Sequence, residues 1–563
     1  VRRLILPNDL KLTSYSDYKT FKGLNKKINK LKKRHYSLGG KTTHFGVMPD
    51  WNPAEIIGIK PKPLALSLYQ ELVTDHVWAE NRKLYGYKDL NQFHLMTTFF
   101  GTPFIDVRVD FNSWIPKNLN KKLSEKIINY YLEKFRRNNN LHDKVEFQIL
   151  FTCFNLSTNR KINNNLNKIL NKNERNQFID NLKLLNKTAL IQQKNDLNLL
   201  KELKIRQKKI INSDLYYIDK IYWIIEDCKK YGTLPFAGLA RCAFIATEIL
   251  NSFVEEKILT DEEKIRFLST IKTITTEMNE DLNKSKVFFI KKYGHLRPGT
   301  YEITSKNYKS NFNLYFNKHK RTKKIKNHKF KFSKKQKLLI NKFIKNSNIY
   351  SDFDELINFI KDSIKYREYS KFVFTKSIDL IFENLERLGK KYKIKKDDLS
   401  YLDIQKILNI YFNYSNFKSI ESLKVNINQN KSEYFKNYLI NLPDVITSDK
   451  DLYIQRREES KINFISNKII TAKILDFKLI NLRKKINEIV CIENADPGYD
   501  FLFSKNIKGL ITKYGGQNSH MAIRCAELNL PALIGVGEEL YNKIIQNKYI
   551  NIDCVQNKIE LIR

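Results

Sequence analysis

The residues best suited to chemistry lie near the C-terminus, where Thr512 begins the run Thr-Lys-Tyr-Gly-Gly-Gln-Asn-Ser-His-Met-Ala-Ile-Arg-Cys-Ala-Glu. A short β-branched run ends at Thr512, and Gly515-Gly516 permits positive φ and close approach of backbone to a ligand. Asn518 or Ser519 can N-cap a helix reaching about Leu528, which sets His520 in that helix's first turn. Free amides and the positive end of the helix dipole can hold a phosphate there. An imidazole of ordinary pKa, about 6.5, is largely neutral and nucleophilic near pH 7. A histidine that attacks a phosphoryl donor needs this combination; a lone histidine without it reads as a satisfied core or surface residue. Cys525 falls on another face of the same helix and reads as a packed thiol.

A second group stands in Tyr293-Gly-His-Leu-Arg-Pro-Gly-Thr-Tyr-Glu302. In a loop punctuated by Gly and Pro, Arg297 can meet a phosphoryl group, His295 can exchange a proton with an acceptor hydroxyl, and Glu302 can serve as base. Ordinary hydrogen bonds and one ion pair would equally account for such a loop. Arg241 follows Phe-Ala-Gly-Leu-Ala on an apolar stretch and is either a buried, paired cation or a substrate clamp. Asn52-Pro-Ala-Glu55 offers a carboxylate, yet Asn at N-cap, Pro at N1 and Glu at N3 form a capping pattern by themselves. Asp496-Pro497 follows the same logic. The six cysteines have no Cys-x-x-Cys and no histidine spacing suited to zinc, so no metal site is expected and they read as reduced, buried thiols.

Around these residues the chain divides by composition. Residues 1–40 form a basic connector, and residues 41–440 a mostly helical acceptor or substrate-side region whose first part, Phe45 to about Pro116, is rich in Trp, Phe, Pro and Gly. Tyr231 to Arg241 reads as a turn feeding an apolar helix, Thr260-Asp-Glu-Glu263 as a capping box, and Ser351 to about Phe412 as helices. A basic tract covers 303–351. Residues 441–461 read as a charged hinge. Beyond it, Glu488–Ile492, Gly509–Thr512, Ala532–Gly535 and Tyr549–Asp553 are short apolar runs separated by turns and helix-length segments, an α/β domain over 462–563. The fold class expected is therefore an α+β multidomain protein, largely helical in its centre and α/β at its C-terminus.

The chain of 563 residues carries 101 Lys+Arg against 60 Asp+Glu, a formal charge of +41. Such a balance raises nucleic-acid binding, but the excess is mainly Lys accompanied everywhere by Asn and Ile, which A/T-rich codons explain without a ligand. Nucleic acid is thus an unfavoured partner. No run of about 18 apolar residues and no signal peptide is read, so no membrane partner is expected and the expected location is the cytoplasm. Val1 in place of Met fits an unusual start codon, a processed chain or a fragment.

The pattern Gly-Gly-x-x-Ser-His-x-Ala-Ile, followed by Glu-Leu-x-x-Pro-Ala-x-x-Gly, resembles the phosphohistidine swivelling domain of the phosphoenolpyruvate-utilising enzymes. The resemblance implies that His520 carries the phosphoryl group, that Gly515, Gly516 and Ser519 shape its loop, and that the domain swings between a nucleotide site and an acceptor site. Asn518 stands where the family usually has Thr, and Ala526 where it has Arg, while Arg524 lies two residues earlier. The Tyr293–Glu302 segment, Arg367-Glu-Tyr with Asp398-Leu-Ser-Tyr-Leu402, and Met48-Pro-Asp-Trp-Asn-Pro-Ala-Glu55 with Pro63-Leu-Ala-Leu-Ser67 are similar to parts of rifampicin phosphotransferase and phosphoenolpyruvate synthase-like proteins. Neither their ATP-grasp domain nor the barrel of phosphoenolpyruvate synthase is recognised in the sequence. The implied function is phosphoryl transfer through His520 to a small-molecule acceptor. An ATP-grasp partner or a missing upstream domain would hold the magnesium and ATP, and this chain would bind no cofactor firmly. The alternatives are a non-catalytic binding or regulatory protein that keeps the swivel fold, and a basic nucleic-acid-binding protein.

Overall fold

The computed structural model describes residues 15–316, 330–412, 418–438, 440, 442–448, 451, 462–477, 486–516 and 519–562. Most of the expected hinge, the middle of the basic tract and Asn518 lie outside these residues. Packing divides the chain into two units. One comprises residues 1–53, 59–258 and 333–457, the other 54–58, 259–332 and 458–563. The protein is α+β and multidomain.

In the first unit, four strands form an antiparallel sheet in the order β2-β3-β1-β4: β1 (Phe45–Gly46), β2 (Met96–Phe99), β3 (Thr102–Asp106) and β4 (Val445–Ile446). Phe45 pairs with Asp106 on one side and with Ile446 on the other. Val445 and Ile446, inside the expected hinge, are thus sheet residues. Helices α1 (Lys172–Ile211), α2 (Tyr217–Cys228), α3 (Leu234–Glu255) and α4 (Phe353–Lys391) pack on one another to make the core. The start of α1 is fixed by a capping box of Asn171 and Glu174.

The turn expected over Tyr231–Arg241 is corrected. A wide turn occupies only Lys229–Thr233, and Leu234 onward is already helical, with Pro235 in the first turn where its missing N–H costs nothing. Gly238 then lies inside α3. A Cβ there would overlap the Asp196 carboxylate of α1 and stand 2.6 Å from the Tyr85 hydroxyl, so this glycine serves close packing rather than a bend. Tyr217–Glu255 is the one stretch among the described residues long and apolar enough to cross a membrane, and most of it is buried within the protein.

The second unit holds a seven-stranded mixed sheet in the order β11-β10-β6-β7-β8-β9-β5. Its strands are β5 (Asn463–Ile465), β6 (Ile469–Asp476), β7 (Ile489–Asn494), β8 (Gly509–Tyr514), β9 (Ala532–Ile534), β10 (Tyr549–Asp553) and β11 (Lys558–Ile562). Strands β6 to β9 run parallel, while β10, β11 and β5 add antiparallel edges. Ile489, Cys491, Ile511 and Leu533 project from the parallel strands into a core completed by Ile550, Ile552 and the helix α6 (Glu538–Ile545). Helix α5 (His520–Glu527) follows β8. The expected capping box at Thr260 is present, each partner bonding the other's backbone.

Candidate functional site

Strand β8 delivers the chain to Gly515, whose φ of +149° lies where other residues are strained. A Cβ there would also stand 2.8 Å from Ala495 Cβ. Glycine is therefore dictated by both torsion and space. The Gly516 N–H donates to Glu55 Oε2 at 3.2 Å, which gives a defined partner to a residue expected only to cap. Asn52, the other half of that expected cap, has φ +38° rather than the extended backbone usual at an N-cap.

Ser519 is the N-cap of α5. Its side chain accepts from the Ala522 N–H at 3.2 Å, and its backbone is extended, as a cap requires. His520 is thus the first helical residue, at the end where amides stand free and the dipole is positive. Its side chain is 7% exposed, and Nε2 lies 2.8 Å from Asp500 Oδ1. A carboxylate only accepts, so Nε2 carries the proton in this contact and the lone pair of the neutral ring falls on Nδ1. One helical turn on, Arg524 is 2% exposed and places Nε 3.6 Å from the same Asp500 oxygen. Its Nη1 pairs with Glu527, while Nη2 has no hydrogen-bond partner among the described residues. His520 and Arg524 therefore share one face of α5 and one carboxylate.

Asp500 comes from the short helical segment Pro497–Lys505, which Asp496 caps by accepting from the Gly498 N–H at 2.7 Å. The structural role expected of Asp496 is what the geometry displays. Sequence reasoning did not find Asp500, because no spacing links it to a histidine twenty positions later. The burial of two formal charges and an imidazole at one point becomes visible only in three dimensions.

The same segment meets the loop expected to serve an acceptor. Tyr308 donates its hydroxyl to the Gly498 carbonyl at 3.0 Å, and Thr300 Oγ1 donates to Asp496 Oδ2 at 3.1 Å. A Cβ on Gly498 would collide with the Arg297 carbonyl. Burial, and then the nearby Asp500 carboxylate, hold the Tyr308 phenol well above its ordinary range. His295, Arg297 and Glu302 thus belong to the unit that carries His520. Arg297 is buried and its Nη1 donates to the Ser305 carbonyl at 3.2 Å; Glu302 Oε1 accepts from the Thr304 hydroxyl at 2.7 Å. Arg241 lies in the other unit, with none of these residues. Cys525 is buried, and burial raises its thiol far above the reactive range. Among the described residues, no three His, Cys, Asp or Glu side chains are arranged to hold a metal ion.

Comparison with known proteins falls on this same region. Residues 485–557 match the family described as PEP-utilising enzyme, mobile domain. Over 237 residues the chain is 24% identical to the phosphoenolpyruvate-protein phosphotransferase of Buchnera aphidicola subsp. Schizaphis graminum, a match covering 40% of this chain and 36% of that protein. Over 220 residues it is 25% identical to the rifampicin phosphotransferase of Bacillus subtilis, covering 36% of this chain and 24% of the relative. The matches therefore span 36% of one relative and 24% of the other. The stretch that holds the glycine turn, the capped helix and the carboxylate-held histidine is thus the part of this chain that is similar to the mobile domain of the PEP-utilising enzymes.

Proposed function

We propose that this chain is the carrier and acceptor-binding part of a phosphotransferase in which His520 takes up a phosphoryl group and passes it to the hydroxyl of a small molecule. One observation carries the reading. His520 opens a helix, whose N-terminal amides can hold a phosphate, and its ring is held by Asp500. In the uptake step a ring nitrogen forms an N–P bond and the donor's leaving group departs with the bonding electron pair. In the delivery step the acceptor oxygen forms an O–P bond, the N–P electrons return to the imidazole, and the hydroxyl proton passes to a carboxylate. Asp500 favours the charged ring that each step passes through.

The donor side belongs to an ATP-grasp domain or subunit. That domain would hold the magnesium and ATP. All six cysteines are unpaired and buried, which fits work in the reducing cytoplasm. The names of the two relatives, both phosphotransferases, support the reaction class. The test is transfer. The chain is phosphorylated with labelled ATP and an ATP-grasp partner, separated from nucleotide, and mixed with a metabolite extract. Label should move to an organic phosphate ester. Release only as inorganic phosphate, at the rate of spontaneous hydrolysis, would contradict the reading.

A further inference from the structure

The first unit buries a guanidinium that no carboxylate among the described residues pairs. Arg241 is 1% exposed; its Nη2 donates to the Thr152 carbonyl at 2.7 Å, while Nε and Nη1 have no hydrogen-bond partner among the described residues. Among the described residues, no acidic group lies within ion-pair distance of it. Its guanidinium instead stands 4.8 Å from the ring centroid of Trp114 and 5.7 Å from that of Tyr87. A cation–π contact returns only part of what a buried cation loses in leaving water. Two donors of a buried Arg are thus left over.

The surroundings supply the other half of a binding site. The ring of Trp114 also carries Arg82, 3.6 Å away, and Arg82 Nη2 is matched by both Asp50 oxygens at 3.1 and 3.0 Å. Trp114 Nε1 donates to Asp110 Oδ1 at 2.8 Å, leaving Asp110 Oδ2 without a partner. Glu146 completes the cluster. It is partly exposed, and the charges of Asp50, Arg82 and Arg241 all act on its carboxyl. Burial, with Asp50 nearby, lifts its carboxyl to about 7 against the pull of Arg82 and Arg241. Burial likewise raises Asp110 well above its ordinary value. Asp50 is already spent on Arg82, so the cluster has one uncompensated cation and one carboxyl poised to exchange a proton.

We propose that this cluster binds a small hydroxylated organic anion, its anionic group on the two unpartnered donors of Arg241 and its hydroxyl on Glu146. Binding follows from this unit alone. That the bound hydroxy acid is the phosphoryl acceptor, with Glu146 taking the hydroxyl proton as the O–P bond forms, rests on the phosphotransferase reading above.

Calorimetry on the unphosphorylated full chain tests the site apart from that reading. The probes are glycerate, gluconate and 4-hydroxybenzoate, each against its neutral amide, and inorganic phosphate. At least one acid should bind while its amide does not. Arg241→Gln should raise the Kd about 10- to 100-fold, the loss expected for charge-assisted hydrogen bonds. Because Arg241→Gln can fail to fold, Glu146→Gln is the second variant and should raise the Kd of the same acid about tenfold. Equal binding of acid and amide, binding of no acid, binding of phosphate alone, or a Kd unchanged in Glu146→Gln would each overturn the proposal. His520→Ala should leave binding intact, so a failure of phosphoryl carriage and a failure of this site are separate results.

Discussion

His520 Nε2 and Asp500 Oδ1 lie 2.8 Å apart with both side chains buried, so the orientation of the candidate nucleophile is set by a residue from a different element of the same unit. An anion at this distance favours the protonated ring. Asp500→Asn keeps a group of the same shape and removes the charge. The variant should lower the His520 pKa, read by NMR of the ring protons, and slow phosphoryl uptake on the order of 10- to 100-fold. An unchanged pKa would show that the contact does not govern the ring.

The loop before His520 should tolerate no side chain at Gly515. Its φ of +149° and the 2.8 Å approach to Ala495 make Gly515→Ala costly, by about 1–3 kcal/mol in thermal unfolding of the C-terminal unit. Phosphoryl uptake should fall with it, because the same turn aims the start of α5.

Ser519→Ala removes the cap that accepts from the Ala522 N–H. The expected loss is about 1 kcal/mol in denaturant unfolding. Ser519→Asp should restore that stability, since a carboxylate caps as well, yet it should slow uptake by placing a negative charge where the phosphate must arrive. Equal rates in the two variants would count against a phosphate at this helix end.

Much of this site was legible in the sequence, for reasons local to the chain. Gly515, Ser519 and His520 act through torsion, capping and helix position, all of which depend on neighbours within a few residues, and the apolar runs at β7 to β10 carry their own strand signal. Strands β5, β6 and β11 carried less. Residues of β6 alternate weakly and stay partly accessible, and β11 is an exposed edge, so neither shows the continuous apolar run of β7 and β8. Asp500, Glu55 and the pairing of Val445–Ile446 with β1 depend on long-range packing, which leaves no periodicity to read. The glycine at 238 was legible as a residue type but not as a role: it resembled a turn signal and proved to be a close helix contact.

The carboxyl of Glu146 gives a signed dependence on pH. Its value in the folded chain is about 7, against 4.5 for an unburied glutamate. Folding therefore binds a proton between these values, and by linkage this group's contribution to stability falls as pH rises through that window. Denaturation across pH 5 to about 7.5 should show this fall, and Glu146→Gln should flatten it. If Glu146 accepts the acceptor's proton, the transfer rate should instead rise through about pH 7 and lose that limb in the variant.

The central claim is that His520 carries the phosphoryl group, and the nature of the phosphorylated bond tests it directly. The chain is incubated with an ATP-grasp enzyme of the kind proposed above and ATP labelled separately at the β and γ positions, and the label on the protein is then challenged with acid and with base. A phosphoramidate is lost in acid and survives base, which distinguishes it from an ester on Ser519. The account predicts acid-labile, base-stable label that is absent in a folded His520→Ala chain. Label that survives acid, or that persists undiminished in His520→Ala, would contradict it.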